Sequence, residues 1–295
     1  MWLLLAKILA AAVVYGAAIE PRLLLTEQEP GSVPKLPPAW EGKQIAVFAD
    51  MQVGMWWSNR DAIRRAVHNV VELKPAATLI VGDFVYEAEE SVNSQMSEVL
   101  GLLQPLLDNH IPTYAVLGNH DYELMNEHSR KENAVSRRVR FALDSAGIRT
   151  LDNRVAILIP PGVDSTPANA LYLVGVGDKW AMNDKSEIPL SQIGDSVPRI
   201  VFMHNPDSFA HIPAGEAPLA IAAHTHGMQL GIPWVSAWMW RKYFSDEGAP
   251  VAGWGHHYGE PGNNVYVNRG IGFSVLPLRI GAPPELTVFT LSRAP

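Results

Sequence analysis

QIAVFAD, residues 44–50, is a short apolar run closed by a carboxylate, and the same design recurs down the chain. ATLIVGD covers residues 77–83, TYAVLGNHD 113–121, RIVFMH 199–204 and PLAIAAHTH 218–226. Apolar runs this short that show no polar alternation are read as strands covered on both faces. Between the first three runs the period changes. Ile63, Ala66, Val67, Val70 and Val71 recur at steps of three and four, which predicts an amphipathic helix from Ser58, with Asp61 as its capping-box partner, to the stop at Pro75. Further helical stretches are expected over 94–108 and up to Gly147. The second half is different, with AILI (156–159), ALYLVGV (170–176), NVYV (264–267) and ELTVFTL (285–291) adding strands with few helices between them. That order predicts a fold of the α/β and α+β kind: two mixed sheets packed face to face with helices outside, a four-layer αββα sandwich.

With 295 residues, 47% of them apolar, the chain can bury a full-sized core. A net charge of -7 gives no general attraction for nucleic acid, so a nucleic-acid partner is not expected. Without cysteine there are no disulfides, thiolate nucleophiles or zinc–thiolate sites. Any metal must sit on His, Asp, Glu, Asn or Gln.

Residues 2–19, WLLLAKILAAAVVYGAAI, are apolar apart from Lys7 and would span about 27 Å as a helix, enough for one membrane pass. A signal peptide is the alternative, with Lys7 closing its basic region and Gly16, Ala17 and Ala18 before a cleavage point. The expected organisation is therefore a membrane anchor or signal peptide over 1–20, an extended Pro-rich linker over 21–42 and one domain over 43–295. The expected location is a membrane, or an exported form after cleavage.

Polar residues cluster at the ends of the predicted strands. Asp50 ends the first, Asp83 follows Gly82, Asn119, His120 and Asp121 follow Gly118, His204 ends RIVFM, and His224 and His226 follow PLAIAA. Ligand sites in such folds form beyond the carboxyl ends of strands, so these residues converge on one pocket. Two histidines two apart in an extended chain would face the same way, as shared ligation needs.

Taken in order, these residues resemble the signature of the calcineurin-like metallophosphoesterase family, D-x-H, G-D, G-N-H-D, H and G-H-T-H. They read here as Asp50-Met51-Gln52, Gly82-Asp83, Gly118-Asn119-His120-Asp121, His204 and Ala223-His224-Thr225-His226. The nearest branch is the bacterial membrane-anchored one, with phosphodiesterases and a UDP-2,3-diacylglucosamine pyrophosphatase. The resemblance implies two divalent metal ions, with Mn²⁺ preferred over Fe, Zn or Mg. Asp83 would bridge them, since two cations about 3.5 to 4 Å apart need an anion between them. Asp50, His226 and Gln52 are assigned to the first metal, and Asn119, His204 and His224 to the second. Catalytic roles fall to His120, as proton donor to the leaving oxygen, and to Asp121, as the group orienting it. Two positions depart from the family. Gln52 replaces its usual His with a weaker amide donor, and Ala223 replaces a glycine.

The function implied is hydrolysis of a phosphodiester or pyrophosphate, in an amphiphilic or lipid-linked substrate such as a UDP-diacylglucosamine-like molecule. A general small-molecule phosphoesterase is the alternative, and so is a metal-poor, membrane-bound binding relative. Trp234, Trp238, Trp240, Tyr243 and Phe244, with Arg241 and Lys242 among them, follow no clean helical or strand period and suit a membrane interface. Trp56 and Trp57 would join that rim. His256 and His257 read as loop residues, and His68 as structural.

Overall fold

The computed structural model describes residues 1–126, 128–160, 162–194 and 197–294. Six strands build the first sheet: β1 (Leu25–Val33), β2 (Gln44–Phe48), β3 (Ala77–Val81), β4 (Thr113–Val116), β5 (Arg149–Thr150) and β12 (Glu285–Arg293). Their spatial order is β1-β12-β2-β3-β4-β5, parallel except where β12 meets β2. The second sheet holds β6 (Arg154–Leu158), β7 (Leu171–Gly175), β8 (Arg199–Phe202), β9 (Ala220–Ala222), β10 (Gly253–Trp254) and β11 (Val265–Val267). It runs β10-β11-β9-β8-β7-β6, with antiparallel strands at both edges. Helices are α1 (Trp2–Val14), α2 (Arg60–Leu73), α3 (Val92–Asp108), α4 (Asn133–Ala146), α5 (Glu187–Leu190) and α6 (Val235–Tyr243).

The pleat explains the unbroken apolar runs. Ile45 and Val47 turn inward to meet Leu173, Ile200, Phe202 and Ile221 of the second sheet. Ala46 and Phe48 turn outward beneath the buried faces of α2, α3 and α4. Beyond the second sheet, Val174, Val201 and Ala222 are covered by Leu190 of α5 and by Phe209 and Ile212. Each central strand is thus apolar on both sides, and the layers form the expected αββα sandwich.

Three local expectations need correction. The first amphipathic helix opens at Arg60 after Asn59, with no side-chain cap, while the Ser58 hydroxyl donates to the Met55 carbonyl. Residues 21–42 are no free linker. Leu25–Val33 is the edge strand, paired in parallel with β12, and Val33, Leu36 and Trp40 enter the core between the sheets. Pro30 was misleading because an edge strand tolerates a residue that cannot donate to a ladder. Finally, the aromatic segment is helical over Val235–Tyr243, with Ser236 and Trp240 its buried side chains.

Candidate metal centre

The carboxyl ends of β2, β3, β4, β8 and β9 deliver the predicted residues to one place. Asp83, His204 and His224 form one ligand cluster and Asp50, Asp83 and His226 another, each with its ligand atoms within 4.8 Å of one another. Asp83 belongs to both. His204 Nε2 lies 3.2 Å from Asp83 Oδ2, and His226 Nε2 lies 3.7 Å from Asp50 Oδ1.

The backbone here is held in a conformation that L-residues seldom adopt. Asp50 has φ 56°, Gln52 43°, Asp83 57°, His224 73° and His226 51°. Such φ values cost free energy and persist where the surroundings over-determine them, which is common at functional sites. They also correct the expected strand geometry of the histidine pair. His224 and His226 do not point one way from an extended chain; each turns to a different cluster. Close packing adds a constraint at Gly118, where a Cβ would lie 2.2 Å from Asp83 Oδ1.

Hydrogen bonds aim the ligands. His204 Nδ1 is 2.7 Å from the Val81 carbonyl, which directs its Nε2 inward. Asn119 donates its amide to the Leu124 carbonyl at 2.6 Å, turning Oδ1 toward His204 Nε2 at 3.1 Å and His224 Nδ1 at 2.8 Å. Gln52 Nε2 lies 3.2 Å from Asp83 Oδ2 and 3.1 Å from His226 Nε2, so Gln52 does reach the centre.

Asp121 does not bond to His120. Its carboxylate accepts from the backbone N–H groups of Asp83 (3.0 Å), Phe84 (2.9 Å) and Gly118 (2.9 Å), clamping the two loops that carry Asp83 and Asn119. His120 instead stacks on Tyr86 with ring centroids 4.8 Å apart, and its backbone N–H donates to Asp83 Oδ1 at 2.9 Å.

Whether these groups fit cations is tested by what they lack. Both carboxylate oxygens of Asp50 and the amide oxygen of Gln52 are buried with no hydrogen-bond donor, as is Nδ1 of His120. A buried carboxylate without any donor is costly, and a cation removes that cost. Burial, partly offset by His204, pushes the Asp50 carboxyl up to about 7. Burial also opposes a charge on His204, but Asp83 and Asp50 outweigh it and carry the ring up to about 10. Both shifts favour the protonated forms of Asp50 and His204 where no cation is bound. Burial lowers His224 to about 3 and His226 well below the ordinary histidine value, leaving both rings neutral, the form that ligates metal. Oxygen donors with neutral imidazoles around a shared carboxylate suit two divalent ions.

Two buried groups beside this centre were not anticipated. Asp178 has one oxygen on the Ala181 N–H at 2.8 Å and the other without a partner, and burial pushes it up to about 7. Its signal was present, because Gly177-Asp178 follows an apolar run just as Gly82-Asp83 does. Arg279 is fully buried, donates to the carbonyls of Gly272, Ala282 and Arg269, and has Nη2 3.4 Å from His226 Nδ1. No strand or helix pattern marks its loop. His256 lies apart, stacked on Trp254, which is tied to Glu29 of β1.

Comparison with known proteins gives the centre its relatives. The calcineurin-like phosphoesterase profile matches residues 43–230, which include every ligand of both clusters. Phosphodiesterase YaeI of Escherichia coli (strain K12) is 34% identical over 224 residues, 75% of this chain and 72% of that protein. The uncharacterized metallophosphoesterase YkuE of Bacillus subtilis (strain 168) is 26% identical over 279 residues, 94% of this chain and 88% of its own. UDP-2,3-diacylglucosamine pyrophosphatase LpxG of Chlamydia trachomatis serovar D is 24% identical over 319 residues, 96% of this chain and 94% of its own. With the family profile matched over more than half its length, the chain belongs to the calcineurin-like phosphoesterases and is a phosphoester hydrolase.

Proposed function

We propose that this chain hydrolyses a phosphodiester or pyrophosphate bond at a dinuclear centre, in a substrate presented at a membrane. The observation that carries the reading is the Asp50 carboxylate, buried with no donor on either oxygen beside a second carboxylate that two ligand clusters share. Asp50, Gln52, Asp83 and His226 would hold the first cation, and Asp83, Asn119, His204 and His224 the second. Divalent cations held there, Mn²⁺ foremost, would supply positive charge against the phosphoryl oxygens and lower the pKa of a bound water.

The protein's own groups do the rest. Asp83 keeps the two ligand sets in register because it belongs to both. Asp121 acts one step back, fixing the loops of Asp83 and Asn119 through their backbone N–H groups. His120 is the proton donor for the leaving oxygen; its ring Nδ1 is buried and has no partner within the protein. Burial holds its pKa below the ordinary histidine value while Asp83 opposes this, and an arriving phosphate adds to the opposing side. Tyr86 fixes the plane of that ring by stacking on it.

A membrane-borne substrate is supported by the helical segment Trp2–Arg22, apolar and long enough to cross a bilayer, and by the likeness to LpxG, which acts on a diacylated nucleotide sugar. The proposed organisation is an anchor at the N terminus and a catalytic domain that takes in β1 as well as residues 43–295. The test uses the full chain in detergent, with an aryl phosphodiester and a lipid-linked pyrophosphate as substrates. Turnover with Mn²⁺ that chelator abolishes and Asp50→Ala removes is the expected result. Absence of turnover with Mn²⁺, Fe²⁺, Zn²⁺ or Mg²⁺ would instead favour the binding relative.

A further inference from the structure

The N-terminal helical segment does not hang from the domain; it is seated on it. No residue of α1 is buried, yet Gly16, Glu20 and Pro21 just beyond it are. Gly16 lies so close to the 278–280 loop that a Cβ would sit 2.4 Å from Ile280 Cγ1, and its carbonyl accepts the Arg279 N–H at 2.9 Å. Glu20 accepts the Ala282 N–H at 2.7 Å, and the Pro21 carbonyl accepts the Asn59 amide at 2.9 Å. The same loop carries the Arg279 side chain to His226. A helix fixed by three such contacts leaves the domain in one direction, beside the metal centre.

A band of exposed apolar residues lies next to this seat, with Trp57 at the rim of a cleft that Ala17 and Pro21 line together with Arg22, Arg60, Asp61 and Arg64. Gln229 donates to the carbonyls of Ser274 and Leu276, and Leu230 pairs with Ile280, joining the loop of Val275 and Leu276 to the approach to α6. Ile232, Trp234, Val235 and Trp238 follow, all exposed, with Trp234 at 89%. Along α6 the residues at steps of four separate by role. Ser236 and Trp240 are buried, with the Trp240 ring 6.0 Å from that of His224, while Trp234 and Trp238 face away from the domain. Val275 and Trp234 have φ 65° and 61°, so two large apolar side chains are held in solvent at a conformational cost.

We infer that this band is a docking face for the headgroup region of a phospholipid bilayer, and that it holds the mouth of the metal centre at the membrane surface. Two observations choose a bilayer over a protein partner. The band lies next to the seat of a helix of membrane-spanning length, on whose reading as an anchor the inference rests. It also mixes indole and phenol rings with cations: Lys242 Nζ sits 4.9 Å from the Trp238 ring and 5.1 Å from that of Tyr243, with Arg241 beside it. Rings with a polar edge and nearby cations match the headgroup layer, where apolar chains give way to phosphates.

The chain has no cysteine, so single sites can be labelled cleanly. Trp234→Cys, Trp238→Cys and Leu276→Cys in the full chain would each carry an environment-sensitive fluorophore. Asn109→Cys, at the amino ends of the strands, is the control. In nanodiscs of phosphatidylcholine and phosphatidylglycerol containing doxyl lipids, the first three should be blue-shifted and quenched and the control neither. Labels as wet at 234, 238 and 276 as at 109 would overturn the proposal. So would labels shielded from water but not quenched by the lipid, the result expected if a second copy of the chain covers the band. The readout needs neither substrate nor metal, so a docked but inactive protein would retain this inference while ending the proposed activity.

Discussion

The two halves of the metal centre are built differently. Around His204 and Asn119 the protein completes its own hydrogen bonds: the Val81 carbonyl holds one ring, the Leu124 carbonyl holds one amide, and the amide oxygen meets two imidazoles. Around Asp50 and Gln52 it does not, and three oxygen atoms are buried without a donor. The first arrangement is organised before a cation arrives. The second leaves buried oxygens without donors, and a bound cation would satisfy them. The difference teaches that order in a ligand set and readiness for a cation are separate properties, one set by second partners and the other by their absence.

The largest effect should come from removing what the halves share. Asp83→Ala is expected to lose both cations in elemental analysis. Its activity should fall by more than the roughly 10- to 100-fold typical of an outer partner, because both sets lose their common carboxylate. Retention of either ion would show that the halves are independent.

Asp50→Asn should abolish only the first cation, and with it most turnover. Above about pH 7 the same substitution should stabilise the metal-free chain, because it removes a carboxyl whose ionised form burial disfavours. Thermal unfolding with chelator measures this, and a lower melting temperature than wild type would mean that Asp50 is satisfied without metal. The opposite sign is expected across the centre. Asn119→Ala breaks the bond to the Leu124 carbonyl and should destabilise the metal-free chain by about 0.5 to 1.5 kcal/mol. Equal signs for Asp50→Asn and Asn119→Ala would erase the contrast.

The smallest effect concerns Gln52. Exchanging its amide for an imidazole should tighten the first cation within about tenfold, or ~1.4 kcal/mol, and leave the second unchanged. Calorimetric titration of Gln52→His that finds identical affinities would remove Gln52 from the ligand set.

Much of this centre was legible because strands announce their ends. Asp50, Asp83 and His204 each follow an unbroken apolar run, and a strand covered on both faces has nowhere polar to place a ligand except its terminus. Asp178 obeys the same rule but matches no position of the family signature, so the order that picks out the others does not pick it out. Arg279 was beyond sequence reading, because its place depends on a loop folding back over His226. The extended geometry expected of the histidine pair and the expected contact of Asp121 with His120 differ from the structure for a related reason. Left-handed backbone at His224 and His226, and backbone partners for Asp121, are local conformations that residue spacing does not encode. In the fold, β1 was missed because an edge strand needs neither apolar alternation nor freedom from proline.

That edge strand has a consequence for how the chain matures. Leu25–Val33 pairs with Glu285–Arg293, and the latter lies between it and Gln44–Phe48. The first sheet therefore cannot close around its own N-terminal strand until a segment some 250 residues downstream has left the ribosome, and pairings so distant in sequence form slowly. In the interval β1 waits unpaired, next to a helix long and apolar enough to have entered a bilayer already. Leu25–Val33 is thus made well before Glu285–Arg293, the strand that ties it to the rest of the first sheet.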